Sequence, residues 1–347
     1  MNTVTEKKQI DLRLMERMNK IPGGTLLFAL CLSLILNNFF PGLFRMGGIT
    51  QALFVEGGNC TMGIFLICCG ASLNIRQLGL PLYKGVVLTS IKLAVGVIIG
   101  VVLGSLFGPV GILGITPMIA IAAITNSNSS MYIILSSRYG DASDAGAVSV
   151  LSLNDGPFFT LVALGATGLA SINVTSMISV LLPLAIGILW GSFDSQFREI
   201  CKGAQAFIMF FMIFPMTAGI TFGAFVQAGI AGLVLGFAST ALGLLFFFLY
   251  QLFLPRKYRN AMGAAIGTTA GNAAMTPAAV AAADPSYASS VDMATSMMVS
   301  AAMVTFICCP LLTGFLDGYM RKHHMGVYSE NGIVTLREQE AAKLQDN

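Results

Sequence analysis

The residues able to do chemistry in this chain are few, and they lie inside apolar sequence. Asp155 sits in Ser152-Leu153-Asn154-Asp155-Gly156-Pro157, within a long hydrophobic run. An acid in such a run reads as a proton carrier or cation ligand, because its charge is costly in hydrocarbon. Asn154 adds an amide ligand, and Gly156-Pro157 loosens the helix beside it. Lys92 falls in another run at a similar depth. Two readings of it stay open: an ion pair with Asp155, or an ammonium snorkelling to the cytoplasmic interface. Asn154, Asp155 and Lys92 are therefore the candidate ion-coupling residues.

Two polar clusters accompany them. Ala122-Ala123-Ile124 leads into Thr125-Asn126-Ser127-Asn128-Ser129-Ser130. Ala264-Ala265-Ile266 leads into Gly267-Thr268-Thr269-Ala270-Gly271-Asn272, then Thr276-Pro277. Polar runs at mid-membrane cannot face lipid, where each unmet hydrogen bond costs several kcal/mol. Gly, Ser, Asn and Thr are also poor helix formers. The runs predict helices broken near the midplane. Half-helix N-termini there present unpaired N–H groups and a positive dipole end, suited to an anion. Thr125, Asn126, Asn128, Ser129, Ser130, Thr268, Thr269, Asn272 and Thr276 are the candidate substrate-binding residues.

The elements that position these residues follow from composition. Of 347 residues, 55% are hydrophobic and only 10% charged, with a mean hydropathy of +0.79. Soluble domains carry about 25% charged residues, so an ordinary cytosolic enzyme and a nucleic-acid binder are excluded. Ten apolar segments are read, at 22–40, 52–73, 85–107, 111–137, 147–170, 174–193, 204–225, 229–254, 261–283 and 291–315. The fold class expected is an all-α polytopic membrane protein. The two clusters each fall in the fourth segment of a five-segment half. Five is odd, so the second half runs inverted relative to the first, a pattern of secondary transporters.

Charge gives an orientation. Lys7, Lys8, Arg13, Arg17 and Lys20 precede the first segment, and Arg321, Lys322, Arg337 and Lys343 follow the last. Arg76, Lys84, Arg138, Arg198, Lys202, Arg256, Lys257 and Arg259 fall in alternate loops; the other loops hold only Arg45. The positive-inside rule then places both termini in the cytoplasm. The division is a cytoplasmic amphipathic segment at 1–20, a first five-helix repeat at 21–170, a second at 171–320 and a cytoplasmic tail at 321–347. Ile10, Leu14 and Met18 share one face of the first segment.

No enzyme motif is found: there is no Walker A sequence, no GxSxG and no HExxH. The seven cysteines form no CxxC and read as packing residues. No cofactor or metal is expected, and His323 and His324 fall in the tail.

Ile21-Pro22-Gly23-Gly24, Cys69-Gly70-Ala71-Ser72-Leu73, Ser152-Leu153, Gly156-Pro157, Ala270-Gly271 and Thr276-Pro277 stand in an order and spacing that resembles the bacterial 2-keto-3-deoxygluconate permease family, over about residues 18–322. The resemblance implies a proton-coupled symporter of a small sugar-acid anion in the inner membrane. It is similar to the bile-acid-symporter and sodium/proton-antiporter group. That implies crossing helices 4 and 9, and a core of helices 3–5 and 8–10 that moves as an elevator against a panel of helices 1, 2, 6 and 7. The chain departs from the family pattern at Thr125 and Asn154, where the family tends to carry acids, and at Asn272, where it tends to carry a small residue.

The implied partners are a small organic anion, a proton or sodium ion and the lipid bilayer, with a homodimer compatible. The rival reading is a monovalent cation/proton antiporter, favoured by the adjacent Asn154-Asp155. Against it, the tenth segment has no Lys or Arg to balance the acid. A receptor or scaffold without transport would leave the buried acid and the repeat unexplained.

Overall fold

A computed structural model describes residues 14, 18, 24–72, 79–154, 156–172, 174–218, 221–330 and 332–333. Asp155, Arg76, most of the segment 1–20 and the tail beyond 333 lie outside the described residues.

The described chain is helical. Its α-helices are α1 (Gly24–Phe39), α2 (Pro41–Phe44), α3 (Gly48–Phe54), α4 (Gly58–Ser72), α5 (Leu80–Phe107), α6 (Pro117–Thr125), α7 (Ser129–Tyr139), α8 (Ala142–Leu151), α9 (Phe158–Thr167), α10 (Val174–Phe193), α11 (Ser195–Thr217), α12 (Phe222–Phe253), α13 (Thr276–Ala283) and α14 (Val291–Lys322). Short 3-10 turns fill several junctions, at Ser152–Asn154, Ala261–Ile266 and Gly271–Met275 among others. No strand forms among the described residues beyond an isolated bridge between Ile112 and Ile115.

Three stretches are long and apolar enough to cross a bilayer as they stand: α5, the part of α12 from Ala228, and Pro285–Tyr328 around α14. Three bent pairs reach that length together: α3 with α4 at 58°, α6 with α7 at 41°, and Ala142–Asn154 with α9 at 58°. Large apolar side chains stand exposed along the outside, among them Ile98, Leu106, Phe193, Leu252 and Phe315. A soluble surface rarely shows so many large apolar side chains. This is a multi-pass membrane protein. The bend between α3 and α4 has no counterpart in the hydropathy, and falls at Gly57-Gly58. The seventh segment also begins earlier than expected, since Asp194 caps α11 by accepting from Phe197 N–H at 3.0 Å.

Small residues set the close contacts. A Cβ on Gly70 of α4 would collide with Leu184 O of α10, and one on Gly187 with Ile67 O. These helices touch through backbone atoms, as helices in lipid commonly do. Phe44 and Phe54 stack at 4.6 Å, and Phe214 of α11 meets both edge-on at 5.2 and 5.7 Å. The core of the molecule holds the polar breaks themselves. Residues 117–127 and 260–277 are buried throughout.

Outside the spans, Asp284 accepts from the Ser286 hydroxyl at 2.7 Å and from Ser171 N–H at 2.7 Å. The Ser286 hydroxyl first, and then the Ser171 amide, hold its carboxyl below the usual carboxylate range.

Candidate functional site

The first broken segment has a start and a stop written into it. Thr116 caps α6 by accepting from Ile119 N–H at 3.2 Å, with Pro117 in the first turn, where its missing N–H costs nothing. The helix stops at Thr125, and Asn126 is extended. Asn128 restarts it, its Oδ1 accepting from Met131 N–H at 2.9 Å. The second break is longer. Asn260 caps a 3-10 run ending at Ile266, residues 267–270 are non-helical, a second 3-10 turn spans Gly271–Met275, and α13 then begins at Thr276-Pro277.

The two breaks meet. Asn126 Nδ2 donates to Ala122 O at 2.7 Å and lies 3.3 Å from Thr160 Oγ1 and 3.4 Å from Thr276 Oγ1. Thr125 Oγ1 bonds Thr160 Oγ1 at 3.0 Å. Asn154 comes in from the turn after α8. Its Nδ2 donates to Thr125 O and, at 3.3 Å, to Ser127 Oγ, while its carbonyl accepts Ser127 N–H. Ser129 and Ser152 hydroxyls are 3.4 Å apart. Thr269 bonds the hydroxyls of Ser239 on α12 and Thr305 on α14. Asn272 is buried close by, on the turn that precedes Thr276.

Lys92 completes the junction. Its ammonium is wholly buried and donates to Asn126 O at 2.6 Å and to Thr268 O at 2.8 Å, one carbonyl from each break. The snorkelling reading is therefore corrected. A buried ammonium gains more from carbonyls freed by two interrupted helices than from a stretch towards water. Its pairing with Asp155 lies outside the described residues.

Several polar atoms are left over. Asn126 Oδ1, Asn154 Oδ1 and Thr268 Oγ1 are buried without a hydrogen-bond partner among the described residues. Each can accept a hydrogen bond from a polar ligand. Of the candidate residues, Thr125, Asn126, Asn154, Thr268, Thr276 and Lys92 gather at the junction. Asn128 serves as a helix cap, and Ser130 is exposed at the side. Thr160, Ser239 and Thr305 were not legible in the sequence, where a lone hydroxyl in an apolar helix carries no pattern.

A second buried cluster was missed because its charges read as loop residues. Lys84 Nζ lies 3.1 Å from both oxygens of Asp141 and 2.9 Å from Asp144 Oδ1. Asp141 and Asp144 form a capping box at the start of α8. Asn260 Nδ2 donates to Asp144 Oδ2 at 2.5 Å, and Tyr250 OH to its Oδ1 at 3.4 Å. Lys84 and Asp144 are fully buried. The readable signal was Asp-x-x-Asp before an apolar run. Every carboxylate oxygen here already has a donor, so this cluster fastens helices together rather than awaiting a ligand.

A multi-pass helical chain with buried, interrupted polar segments at its centre has the layout of a membrane transporter. Residues 15–322 match the family of 2-keto-3-deoxygluconate permeases, and the chain belongs to that family. It is a permease family, not a family of enzymes. The chain is 38% identical over 298 residues to 2-keto-3-deoxygluconate permease 1 of Salmonella typhimurium, covering 86% of this chain and 93% of that one. It is 30% identical over 304 residues to the 2-keto-3-deoxygluconate permease of Bacillus subtilis, covering 86% and 92%.

Proposed function

We propose that this protein imports a small sugar-acid anion such as 2-keto-3-deoxygluconate across the bacterial inner membrane, driven by protons. The observation that carries the reading is the meeting of two polar breaks in a permease of this family. The N-terminal ends of α7 and α13 lie beside that meeting point and offer a positive dipole end to a carboxylate. Asn126, Thr268, Asn272 and Thr276 supply amide and hydroxyl groups for the sugar hydroxyls. Asp155 carries the coupling proton, and Asn154 beside it ties its segment to the first break.

On this reading the chain crosses ten times as two inverted five-helix repeats, with both termini in the cytoplasm. The core that holds the breaks moves as an elevator against the panel of α1, α4, α10 and α11.

The test is uptake of labelled 2-keto-3-deoxygluconate into proteoliposomes, with proton and sodium gradients imposed separately. Accumulation driven by an inward proton gradient is expected. Asp155→Asn is expected to abolish accumulation and retain exchange of labelled for unlabelled substrate. A mutant that still concentrates substrate would remove Asp155 from the coupling step. Sodium/proton exchange without any sugar-acid uptake would favour the antiporter reading instead.

A further inference from the structure

We infer that the Lys92 ammonium is a resident, tethered cation at the place where a transported sodium ion would otherwise bind, which makes this carrier independent of sodium. The inference rests on the symporter reading above and deepens it by naming the residue that decides the coupling ion.

The geometry starts from the ends of two helices. The last carbonyls of a helix have no partner within it and form the negative end of its dipole. In carriers built on broken helices, such unwound carbonyls hold the coupling cation. Here α6 ends at Thr125, and the 3-10 run of the second break ends at Ile266. The carbonyls just beyond, of Asn126 and Thr268, both point at one atom, Lys92 Nζ, at 2.6 and 2.8 Å. These are the residues whose side-chain oxygens, Asn126 Oδ1 and Thr268 Oγ1, are buried without a partner among the described residues. Two converging backbone carbonyls are the kind of donor that holds a monovalent coupling cation in such carriers. An ammonium already holds the carbonyl pair.

The helix that carries Lys92 is built to deliver it. A Cβ on Gly96, one turn further along α5, would lie 2.6 Å from Thr125 Cγ2, and one on Gly100 would collide with Ile121 Cγ1. The absent side chains let α5 lie against α6, so that the lysine stem spans the short remaining distance. A covalently held cation cannot be exchanged for one from solution. It therefore stays at the crossing point throughout the cycle and leaves the driving ion to another group.

The experiment uses the full-length protein in two readouts. Thermal stability in detergent is compared in sodium chloride and choline chloride, without substrate, for the wild type and Lys92→Ala. The wild type is expected to show no shift between the salts. Lys92→Ala is expected to be stabilised saturably by sodium, or by ethylammonium, which restores the lost group. Should the variant fail to fold in choline, recovery of folded protein in either cation is the expected result. Uptake into proteoliposomes is then expected to fall about tenfold or more for Lys92→Ala in choline and to recover with sodium. A saturable sodium response of the wild type overturns the inference, as does a Lys92→Ala protein that no cation stabilises, folds or reactivates. The stability readout needs no substrate, so it stands even if wild-type uptake of the sugar acid fails and takes the symporter reading with it.

Discussion

Lys84 faces two carboxylates in a buried place, and the consequences are sharply one-sided. Replacing it by Met leaves Asp141 and Asp144 buried with no cation between them. Breaking such a group from one side costs about 3–5 kcal/mol. Lys84→Met should therefore lower the thermal unfolding midpoint of the purified protein markedly. Adding Asp144→Asn should recover part of the loss, because one of the two carboxylates is then neutral. Equal stability of Lys84→Met and wild type would show the group to be solvated. At this scale the sequence was legible where polar residues run together, as at 125–130 and 267–272. It was not legible at Thr160, Ser239 or Thr305. A hydroxyl alone in a helix bonds its own preceding turn as easily as a neighbouring helix, and only the packing decides.

The interrupted helices work only if their neighbours approach closely. Gly96→Val would push α5 away from Thr125, at an overpacking cost of about 1–3 kcal/mol. The same displacement draws Lys92 from its two carbonyls. Uptake should fall much further than stability does, and Gly63→Val, a substitution into open space, should leave both unchanged. Comparable losses in stability and uptake for Gly96→Val would reduce the contact to simple packing. The break between α6 and α7 could be read from its asparagines and serines, which prefer caps to helix interiors. The bend between α3 and α4 could not, since Gly57-Gly58 is one of three glycine pairs in the chain and nothing in the hydropathy sets it apart. The 3-10 character of 261–266 was also hidden, because its alanines suit either helix and the close approach of Gly263 to Tyr250 and Phe246 decides.

For the whole molecule, the proposed orientation makes a simple forecast. A fluorescent protein fused after Asn347 should fold and fluoresce, and an alkaline phosphatase fused there should stay inactive. The reverse pair of results would invert the topology and the reading of the loop charges with it. The helical, multi-pass character was plain in the composition, since so apolar a chain has few other ways to satisfy its backbone. How its helices pair was not, because contacts such as Gly70 with Leu184 join residues far apart in sequence through atoms that every residue shares.

The Lys84 cluster also imposes a timetable on synthesis. Lys84 is made 57 residues before Asp141, and Asp144 a further 116 residues before Asn260. At about 5–20 residues per second, the lysine waits roughly 3–11 seconds for its first partner. The proposed topology puts all of them at the cytoplasmic ends of their helices, where ribosome-side water can hold each charge meanwhile. Charges that would resist entering lipid singly are thus buried only when the second half of the chain arrives to close over them.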